Sequence, residues 1–326
     1  MRRVVLLVVG LVTAMSFALP GGAQTKPGDK VYRVGTLFPS VVHKSFRMEE
    51  IRKALAEHGY AEGRNLVFES RLTGDNDFHR PDLAKELVES RVDLIVTIEI
   101  TGGQAAAQAT STIPTIVLNC DPHEQLVASL ARPGGNVTGQ SCMNAELTPK
   151  KLETFKRGVP NMTRVAFLYN PRQPGPALGL KLAQDAARTL RLVVQPVEVT
   201  GSADFDQALE RIAKGRFDGL FVYHDFVTAG HRSQIIAFAA RTRLPAFYGY
   251  REWVDAGGLM SYGPDLRAMF ARAGRQAARI LGGAKAADLP VEQPTEFELF
   301  VNTKTAKALG FTIPSAVLLQ ANQLID

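Results

Sequence analysis

Short apolar strands and amphipathic helices alternate through almost the whole chain, and this alternation constrains the fold more than any other feature. Residues 31–37 form a β-branched apolar run, and residues 46–58 carry apolar side chains at helical spacing before Gly59 ends the helix. Residues 92–98 are almost continuously apolar, which is typical of a strand buried on both faces of a parallel sheet. Alternating strands and helices predict parallel sheets with right-handed crossovers.

A second series of strands and helices begins at residues 165–169, and the two series meet near residue 145. A chain of roughly 300 residues beyond its N-terminal segment exceeds the usual size of one domain, which favours two. We therefore predict an α/β fold of two similar doubly wound parallel-sheet lobes. Pro290 and Pro294 keep residues 288–295 extended, so this segment could carry the chain back between the lobes.

Two local patterns give finer predictions. Residues 124–130 predict a short helix. Asp204 and Gln207 predict a capping box at the start of the helix that runs through Ile212.

The N-terminus predicts export from the cytoplasm. Arg2 and Arg3 precede an apolar segment of about 15 residues, which is shorter than the ~20 needed to span a bilayer. Pro20 and Gly21 interrupt it, and small residues follow at a plausible cleavage point. These features favour a cleaved signal peptide, residues 1–23, over an uncleaved anchor, and they predict a periplasmic mature protein.

Composition excludes one class of partner and leaves one question open. The net charge is +6, but Lys and Arg are interspersed with Asp and Glu, so we expect no nucleic-acid partner. Cys120 and Cys142 are the two cysteines. In an oxidising compartment they form either a disulfide or two buried thiols that behave as small apolar residues.

No catalytic motif stands in the chain. The phosphate-binding loop, the G-x-S-x-G elbow, H-E-x-x-H and a G-x-G-x-x-G after the first strand are all absent. The side chains of His224, Asp225 and His231 are of types that can coordinate a metal. However, a loop histidine beside an aspartate is usually solvated or hydrogen-bonded. We therefore predict a protein that is not an enzyme and has no cofactor and no metal.

Polar and aromatic residues collect where the predicted strands end. In doubly wound sheets, ligands bind beyond the carboxyl ends of the strands. The tyrosines there offer apolar area with a polar tip, which suits a small organic ligand, although each of them could equally pack under a loop. The predicted ligand-binding residues are Phe38, Ser40, His43, Glu99, Thr101, Asn119, Asp121, Tyr169, Tyr223, Asp225 and Tyr248.

Several longer segments resemble one family. The segments are GYAEGRNL (59–66), ATSTIP (109–114), LVASLARPGGNVTG (126–139), GGLMSYG (257–263), DLPVEQPT (288–295) and KTAKALG (304–310) followed by Ile313-Pro314. In these segments the chain resembles the bacterial ABC-transporter substrate-binding family that includes tryptophan- and tyrosine-type binding proteins. The resemblance extends in order over essentially the whole mature chain.

The resemblance implies the type I periplasmic-binding-protein fold, in which three crossings join two lobes that close over a ligand in the cleft between them. It adds a crossing near residues 261–265, and it implies lobe 1 as residues 30–143 plus 264–291 and lobe 2 as 144–263 plus 292–326. It implies a monomeric solute receptor that passes its ligand to an ABC permease in the inner membrane. The strand-end tyrosines suggest an aromatic or partly apolar ligand with a carboxylate.

Alternatives remain at this point. The same fold could present its ligand to a membrane kinase or chemoreceptor, and a periplasmic enzyme using Asp225, Glu99 or His43 is a further hypothesis. A transcriptional regulator would need an N-terminal DNA-reading domain where the predicted signal peptide stands. Glu99 either grips a ligand amine or pairs with an arginine.

Overall fold

The computed structural model describes residues 30–39, 45–73, 79–119 and 125–326. The first part of the chain forms β1 (Tyr32–Pro39), α1 (Phe46–Glu57), β2 (Leu66–Thr73), α2 (Arg80–Glu89), β3 (Leu94–Ile98), α3 (Glu99–Ala109), β4 (Thr115–Asn119) and β5 (Val137–Ser141). The second part forms α4 (Thr148–Gly158), β6 (Arg164–Tyr169), α5 (Pro174–Leu190), β7 (Val193–Glu198), α6 (Ser202–Lys214), β8 (Gly219–Val222), α7 (Phe226–Gly230), α8 (Arg232–Thr242), β9 (Ala246–Tyr248), α9 (Arg251–Asp255), β10 (Met260–Gly263), α10 (Leu266–Leu281), a 3-10 turn (Ala286–Asp288), β11 (Glu298–Asn302), α11 (Thr303–Leu309), α12 (Ser315–Leu318) and β12 (Gln323–Ile325).

The first sheet has the strand order β2-β1-β3-β4-β5, and all its pairs are parallel. The strands β3, β4 and β5 are buried along their whole length, as the continuous apolar run at residues 92–98 predicted for β3. The chain leaves β1 on one side, toward β2, and returns to β3 on the other. This change of winding direction is where doubly wound sheets bind ligands.

The second sheet has the order β12-β11-β10-β9-β8-β6-β7, with its own change of direction between β6 and β8. Its central pairs are parallel, but β11 runs antiparallel to β10, with Ser261 opposite Phe300. Between β10 and β11 the chain forms α10, which packs against Ala54 of the first lobe. The chain therefore re-enters the second sheet from the first lobe, which allows β11 to run in the opposite direction. The two sheets with their helices confirm the predicted α/β class of two doubly wound lobes.

The chain passes between the two sheets three times. It leaves the first sheet after Ser141 for α4, and it leaves the second sheet after Gly263 for α10. The third passage follows Glu292, whose N–H donates to the Gly139 carbonyl (2.9 Å) and whose carbonyl accepts from the Ser141 N–H (2.8 Å). The chain then enters β11 of the second sheet.

The long helix α10 belongs with the first sheet because it packs on α1. A Cβ at Gly274 would lie 2.6 Å from the Ala54 Cβ, so only glycine permits this close approach. Arg267 of α10 also pairs with Glu50 of α1, with 2.9 Å between Nη1 and Oε1. Among the residues that the structure describes, no helix has both the length and the apolar character needed to cross a membrane.

Two local predictions are wrong. Residues 125–130 form turns rather than a helix, because the Ser129 hydroxyl accepts from the Arg132 N–H (3.0 Å) and the Ala128 N–H donates to the Pro133 carbonyl (3.0 Å). Asp204 is the third residue of α6, where its carboxylate accepts from the N–H groups of Thr200 and Gly201, so Gln207 plays no part in the cap. The predicted signal peptide, residues 1–23, lies outside the described residues.

Candidate ligand-binding cleft

A cavity of about 520 Å³ lies between the two sheets and is lined from both sides. Its volume is within the ~300–1,000 Å³ typical of small-molecule sites. Its aromatic lining consists of Phe46, Tyr223, His224, Phe226, Tyr250, Trp253 and Phe270. Its charged lining consists of Arg47, Glu99, Asp225, Arg232, Glu252 and Asp255.

Four of the predicted site residues line this cavity. Glu99 and Asn119 come from the ends of β3 and β4, while Tyr223 and Asp225 follow β8. β3 and β8 border the change of winding direction in their sheets, and β4 lies beside β3, so the carboxyl ends of these strands converge on the cleft.

Other predicted site residues lie elsewhere. Phe38 is fully buried in the core, and Tyr248 is stacked on Trp253 behind the cavity wall with 4.8 Å between ring centroids. Tyr169 donates from its hydroxyl to Glu198 Oε1 (3.1 Å) and packs on Phe167. All three side chains pack in hydrophobic cores and are not part of the cavity lining.

Of the remaining predicted residues, the structure describes only Thr101. Thr101 is half-buried in the first turn of α3 and is not part of the lining. Ser40, His43 and Asp121 lie outside the described residues.

Trp253, His224 and Tyr250 form one continuous aromatic wall. The Trp253 indole N–H donates to His224 Nδ1 (3.2 Å), and the His224 ring meets the Tyr250 ring edge-on with 4.5 Å between centroids. Since the indole can only donate, Nδ1 accepts and His224 is neutral. Burial, and then the nearby cations Arg47, Lys151 and Arg232, hold the pKa of His224 well below its usual range. The wall is therefore rigid and uncharged.

Lys151 supports this wall from behind. Its side chain is buried, donates to Asn144 Oδ1, and lies 5.6 Å from the Tyr250 ring centroid. Asn144 Nδ2 in turn donates to the His224 carbonyl (3.2 Å). Burial lowers the pKa of Lys151 to about 7, against a smaller opposing effect of Glu146.

The Tyr250 hydroxyl forms a hydrogen bond with the sulfur of Cys142. Cys142 is disulfide-bonded, so its sulfur can only accept, and Tyr250 donates to it with 2.8 Å between Oη and Sγ. Cys120, the other cysteine of the chain, lies outside the described residues. The first passage between the sheets begins at Cys142, so the wall is attached to that passage.

Glu99 is paired with an arginine, the second of the two alternatives that the sequence left open. Its Oε2 accepts from Arg80 Nη2 (2.8 Å) within the first lobe. Its Oε1 accepts from Gln173 Nε2 (3.0 Å), which reaches across from the start of α5. Glu99 has a φ of 62°, a backbone conformation that costs energy for a residue with a side chain and that is common at functional sites.

Asp225 caps the short helix α7 at the floor of the cavity. Its carboxylate accepts from the N–H groups of Thr228 (2.9 Å) and Asn170 (3.2 Å). Burial raises the pKa of Asp225 to about 6, although these hydrogen bonds oppose the rise. In the part of the chain that the structure describes, no cation forms an ion pair with Asp225, so a ligand that supplies a cation would stabilise this buried carboxylate.

The charged ends of Arg47 and Glu252 meet across the cleft, with 2.6 Å between Nη2 and Oε1. Arg47 is the second residue of α1, and its guanidinium lies 4.8 Å from the Phe46 ring centroid. Glu252 belongs to α9 of the other lobe. This ion pair and the Gln173–Glu99 hydrogen bond both join the lobes at the cavity.

The sequence predictions missed several lining residues. Phe46, Arg47, Trp253 and Phe270 lie on helices, one turn or more beyond the strand ends on which the search concentrated. One signal was available: the only tryptophan of the chain follows a strand end rich in tyrosine.

The two histidines near the cavity, His224 and His231, both make ring contacts with aromatic side chains. His231 stacks on Phe205 with 4.0 Å between centroids, and its Nδ1 lies 2.8 Å from the Val227 carbonyl oxygen. Within the described ranges, no group of three or more His, Cys, Asp or Glu side chains is placed to hold a metal ion.

Two doubly wound lobes with an aromatic and charged cavity between them define a class, the two-lobed binding proteins for small molecules. The family is equally clear. A family model described as ABC transporter substrate binding protein matches residues 41–325, and the chain belongs to this family.

Three similar proteins illustrate the relationship. A tyrosine-binding protein of Clostridioides difficile (strain R20291) is 29% identical over 266 residues, which are 81% of this chain and 76% of that protein. The structure of an ABC domain in complex with L-Trp from Streptococcus pneumoniae has a TM-score of 0.83 and 26% identity, covering 91% of this chain and 100% of that one. A conserved domain protein of Vibrio cholerae has a TM-score of 0.81 and 27% identity, with 90% and 100% covered.

Proposed function

We propose that this protein is the extracytoplasmic solute-binding component of an ABC importer and that it captures an aromatic amino acid or a related aromatic carboxylate. The observation that carries this proposal is the aromatic cavity between the lobes, whose wall of Trp253, His224 and Tyr250 is fixed by hydrogen bonds and ring contacts. A rigid aromatic wall binds a flat apolar group at low entropic cost.

The related proteins support the choice of ligand. One of them is a tyrosine-binding protein and another is in complex with L-Trp. Both ligands combine an aromatic ring with a charged amino-acid end. In this chain Asp225 would accept a hydrogen bond from the ligand ammonium, which would compensate the buried carboxylate. Asn119 and Tyr223, which also line the cavity, are proposed as further ligand contacts.

Ligand capture would proceed by closure of the two lobes. We propose residues 30–143 plus 264–291 as one lobe and 144–263 plus 292–326 as the other, with the three passages between the sheets as the hinge. The Arg47–Glu252 ion pair would then form only in the closed state and stabilise it. The protein itself performs no chemistry in this scheme and delivers the ligand to a permease in the inner membrane, acting as a monomer after removal of residues 1–23.

Calorimetric titration of the purified protein tests the proposal. L-tyrosine, L-tryptophan, phenylacetate, L-leucine and glucose form a panel that separates aromatic, carboxylate and sugar recognition. A ligand at a hundredfold its dissociation constant should also add about 2.7 kcal/mol to the free energy of unfolding. Binding of the aromatic compounds alone, with each recovered unchanged, is the expected result. Binding of glucose alone, or chemical conversion of a bound compound, would overturn the proposal.

A further inference from the structure

One of the charged side chains that line the cavity lacks an interaction partner among the described residues. Five of its six charged side chains are engaged within the described structure: Arg47 with Glu252, Glu99 with Arg80, Asp225 with two backbone N–H groups, and Asp255 with Arg251 at 3.1 Å. The sixth is Arg232. Within the described ranges, neither a hydrogen bond nor an ion pair engages its guanidinium.

The position of Arg232 is not explained by the stability of its own helix. It is the first residue of α8, an 11-residue helix whose N-cap, His231, provides no side-chain hydrogen bond. A cation at a helix N-terminus is unfavourable, because the helix dipole places partial positive charge there. Local structure therefore gains nothing from this arginine, whereas an anion beside it would meet both the guanidinium and the first N–H groups of the helix.

The surroundings of Arg232 favour an anion in the cavity as well. Gly230 and Arg232 both line the cavity, so the start of α8 borders it. The positive charge of Arg232 is one cause, after burial and with Arg47 and Lys151, of the low pKa of His224. The same positive potential that disfavours a proton on His224 stabilises a negative group placed against the aromatic wall.

We propose that Arg232 binds the carboxylate of the ligand and is the residue that selects aromatic acids over aromatic amines. This inference rests on the proposed function and adds to it a specificity residue on the second lobe. The planar guanidinium can donate two parallel hydrogen bonds to a carboxylate, a geometry that a neutral amide cannot match.

The test combines removal of the charge from the protein with removal of the charge from the ligand. L-tryptophan and L-tryptophanamide share the ring and the ammonium and differ in the carboxylate, and calorimetry measures the affinity for each. The variant is Arg232→Gln. The control is Arg241→Gln, which removes the same charge near the other end of the same helix, where the side chain is exposed and lies over Phe238 outside the cavity.

We expect the wild-type protein to bind L-tryptophan about 10- to 100-fold more tightly than the amide, because a charge-assisted hydrogen bond is lost with the carboxylate. In Arg232→Gln this ratio should fall to about twofold or less, through weaker binding of L-tryptophan alone. Arg241→Gln should keep the wild-type ratio. The melting temperature of Arg232→Gln should be no lower than that of the wild-type protein, because the substitution removes an unfavourable positive charge from a helix N-terminus.

The possible failures are distinguishable. If the wild-type protein binds neither L-tryptophan nor L-tyrosine, the proposed function fails and this inference with it. If binding is present but the ratio persists in Arg232→Gln, the inference alone is overturned. An equal loss of affinity for both compounds would show that Arg232 shapes the cavity and does not bind the carboxylate, which also overturns it.

Discussion

The Arg47 guanidinium and the Glu252 carboxylate meet across the cleft at 2.6 Å, although 205 residues separate them along the chain. Their side chains are 16% and 20% exposed, so water screens the pair only in part. The pair joins α1 of the first lobe to α9 of the second, directly at the cavity. Closure of the lobes should therefore depend on it.

Glu252→Gln should weaken ligand binding by about three- to tenfold, because under the proposed closure this ion pair would form in the closed state alone and shift the population toward it. The variant retains the size of the side chain and should leave the fold intact. Affinity for L-tyrosine by calorimetry is the measurement. A matched control is Glu50→Gln, which breaks the Arg267–Glu50 pair (2.9 Å) between two helices of the same lobe. If both variants bind like the wild-type protein, the ion pair has no part in closure.

The raised pKa of Asp225 predicts a distinctive pH profile for Asp225→Asn. Burial raises this pKa from 3.8 to about 6, so the folded protein holds the proton more tightly than the unfolded chain. This tighter proton binding stabilises the folded protein fully below the pKa of Asp225 in the unfolded chain. The stabilisation is lost as pH rises through the pKa of Asp225 in the folded protein. Asparagine retains the helix cap but does not titrate. Relative to the variant, the wild-type free energy of unfolding should fall by up to about 3 kcal/mol between about pH 4 and pH 7.

Urea unfolding of both proteins over this pH range measures the difference. A constant difference would contradict the prediction. The same experiment with ligand bears on the ammonium contact: if Asp225 accepts from a ligand ammonium, affinity should weaken as pH falls below about 6 and the carboxylate is protonated.

For Lys151 we expect the opposite dependence: its contribution to the free energy of unfolding should increase as pH rises. Burial lowers its pKa from 10.5 to about 7, so the folded state favours the neutral amine. This contribution to stability is present above the unfolded pKa and is lost as pH falls through about 7. Replacement by methionine keeps the length of the side chain without a charge. The free energy of unfolding of Lys151→Met should therefore rise relative to that of the wild-type protein as pH falls from about 10 to 6, by at most about 5 kcal/mol.

Lys150→Met is the matched control for this experiment. Lys150 is the neighbouring residue, exposed and paired with Glu153 at 3.0 Å. Its replacement should leave the free energy of unfolding within about 0.5 kcal/mol of wild type, as is usual for surface substitutions. Urea unfolding at several pH values compares all three proteins. Parallel profiles for Lys151→Met and the wild type would mean that Lys151 stays charged in the folded protein.

The fold was predictable because it depends on local signals. Continuous apolar strands such as residues 94–98 and helices with one apolar face specify layers, and connection rules leave few ways to arrange them. The antiparallel direction of β11 was not predictable in this way. It depends on where the chain re-enters the second sheet after Glu292, which is a long-range relationship.

The site was only half predictable, for a geometric reason. The search of strand ends found Glu99 and Asp225 because the carboxyl ends of parallel strands always converge. It could not distinguish Tyr248, which faces the core, from Tyr250, which lines the cavity. Arg47 lines the cavity beside Glu252, which is 205 residues away along the chain, and no local sequence pattern encodes such a distant contact.

The single tryptophan of the chain offers a direct view of the cavity. Trp253 lines it, stacks on Tyr248 and donates its N–H to His224, so a ligand ring placed against the wall changes the polarity around the indole. Titration with L-tyrosine, excited at the red edge of the indole band where tyrosine does not absorb, should give a saturable change in emission. Its midpoint should equal the calorimetric dissociation constant. Trp253→Phe should remove the signal and weaken binding by about two- to tenfold, the contribution expected from one aromatic contact. Heat of binding without any change in emission would place the ligand away from this wall and would contradict the assignment of the cavity.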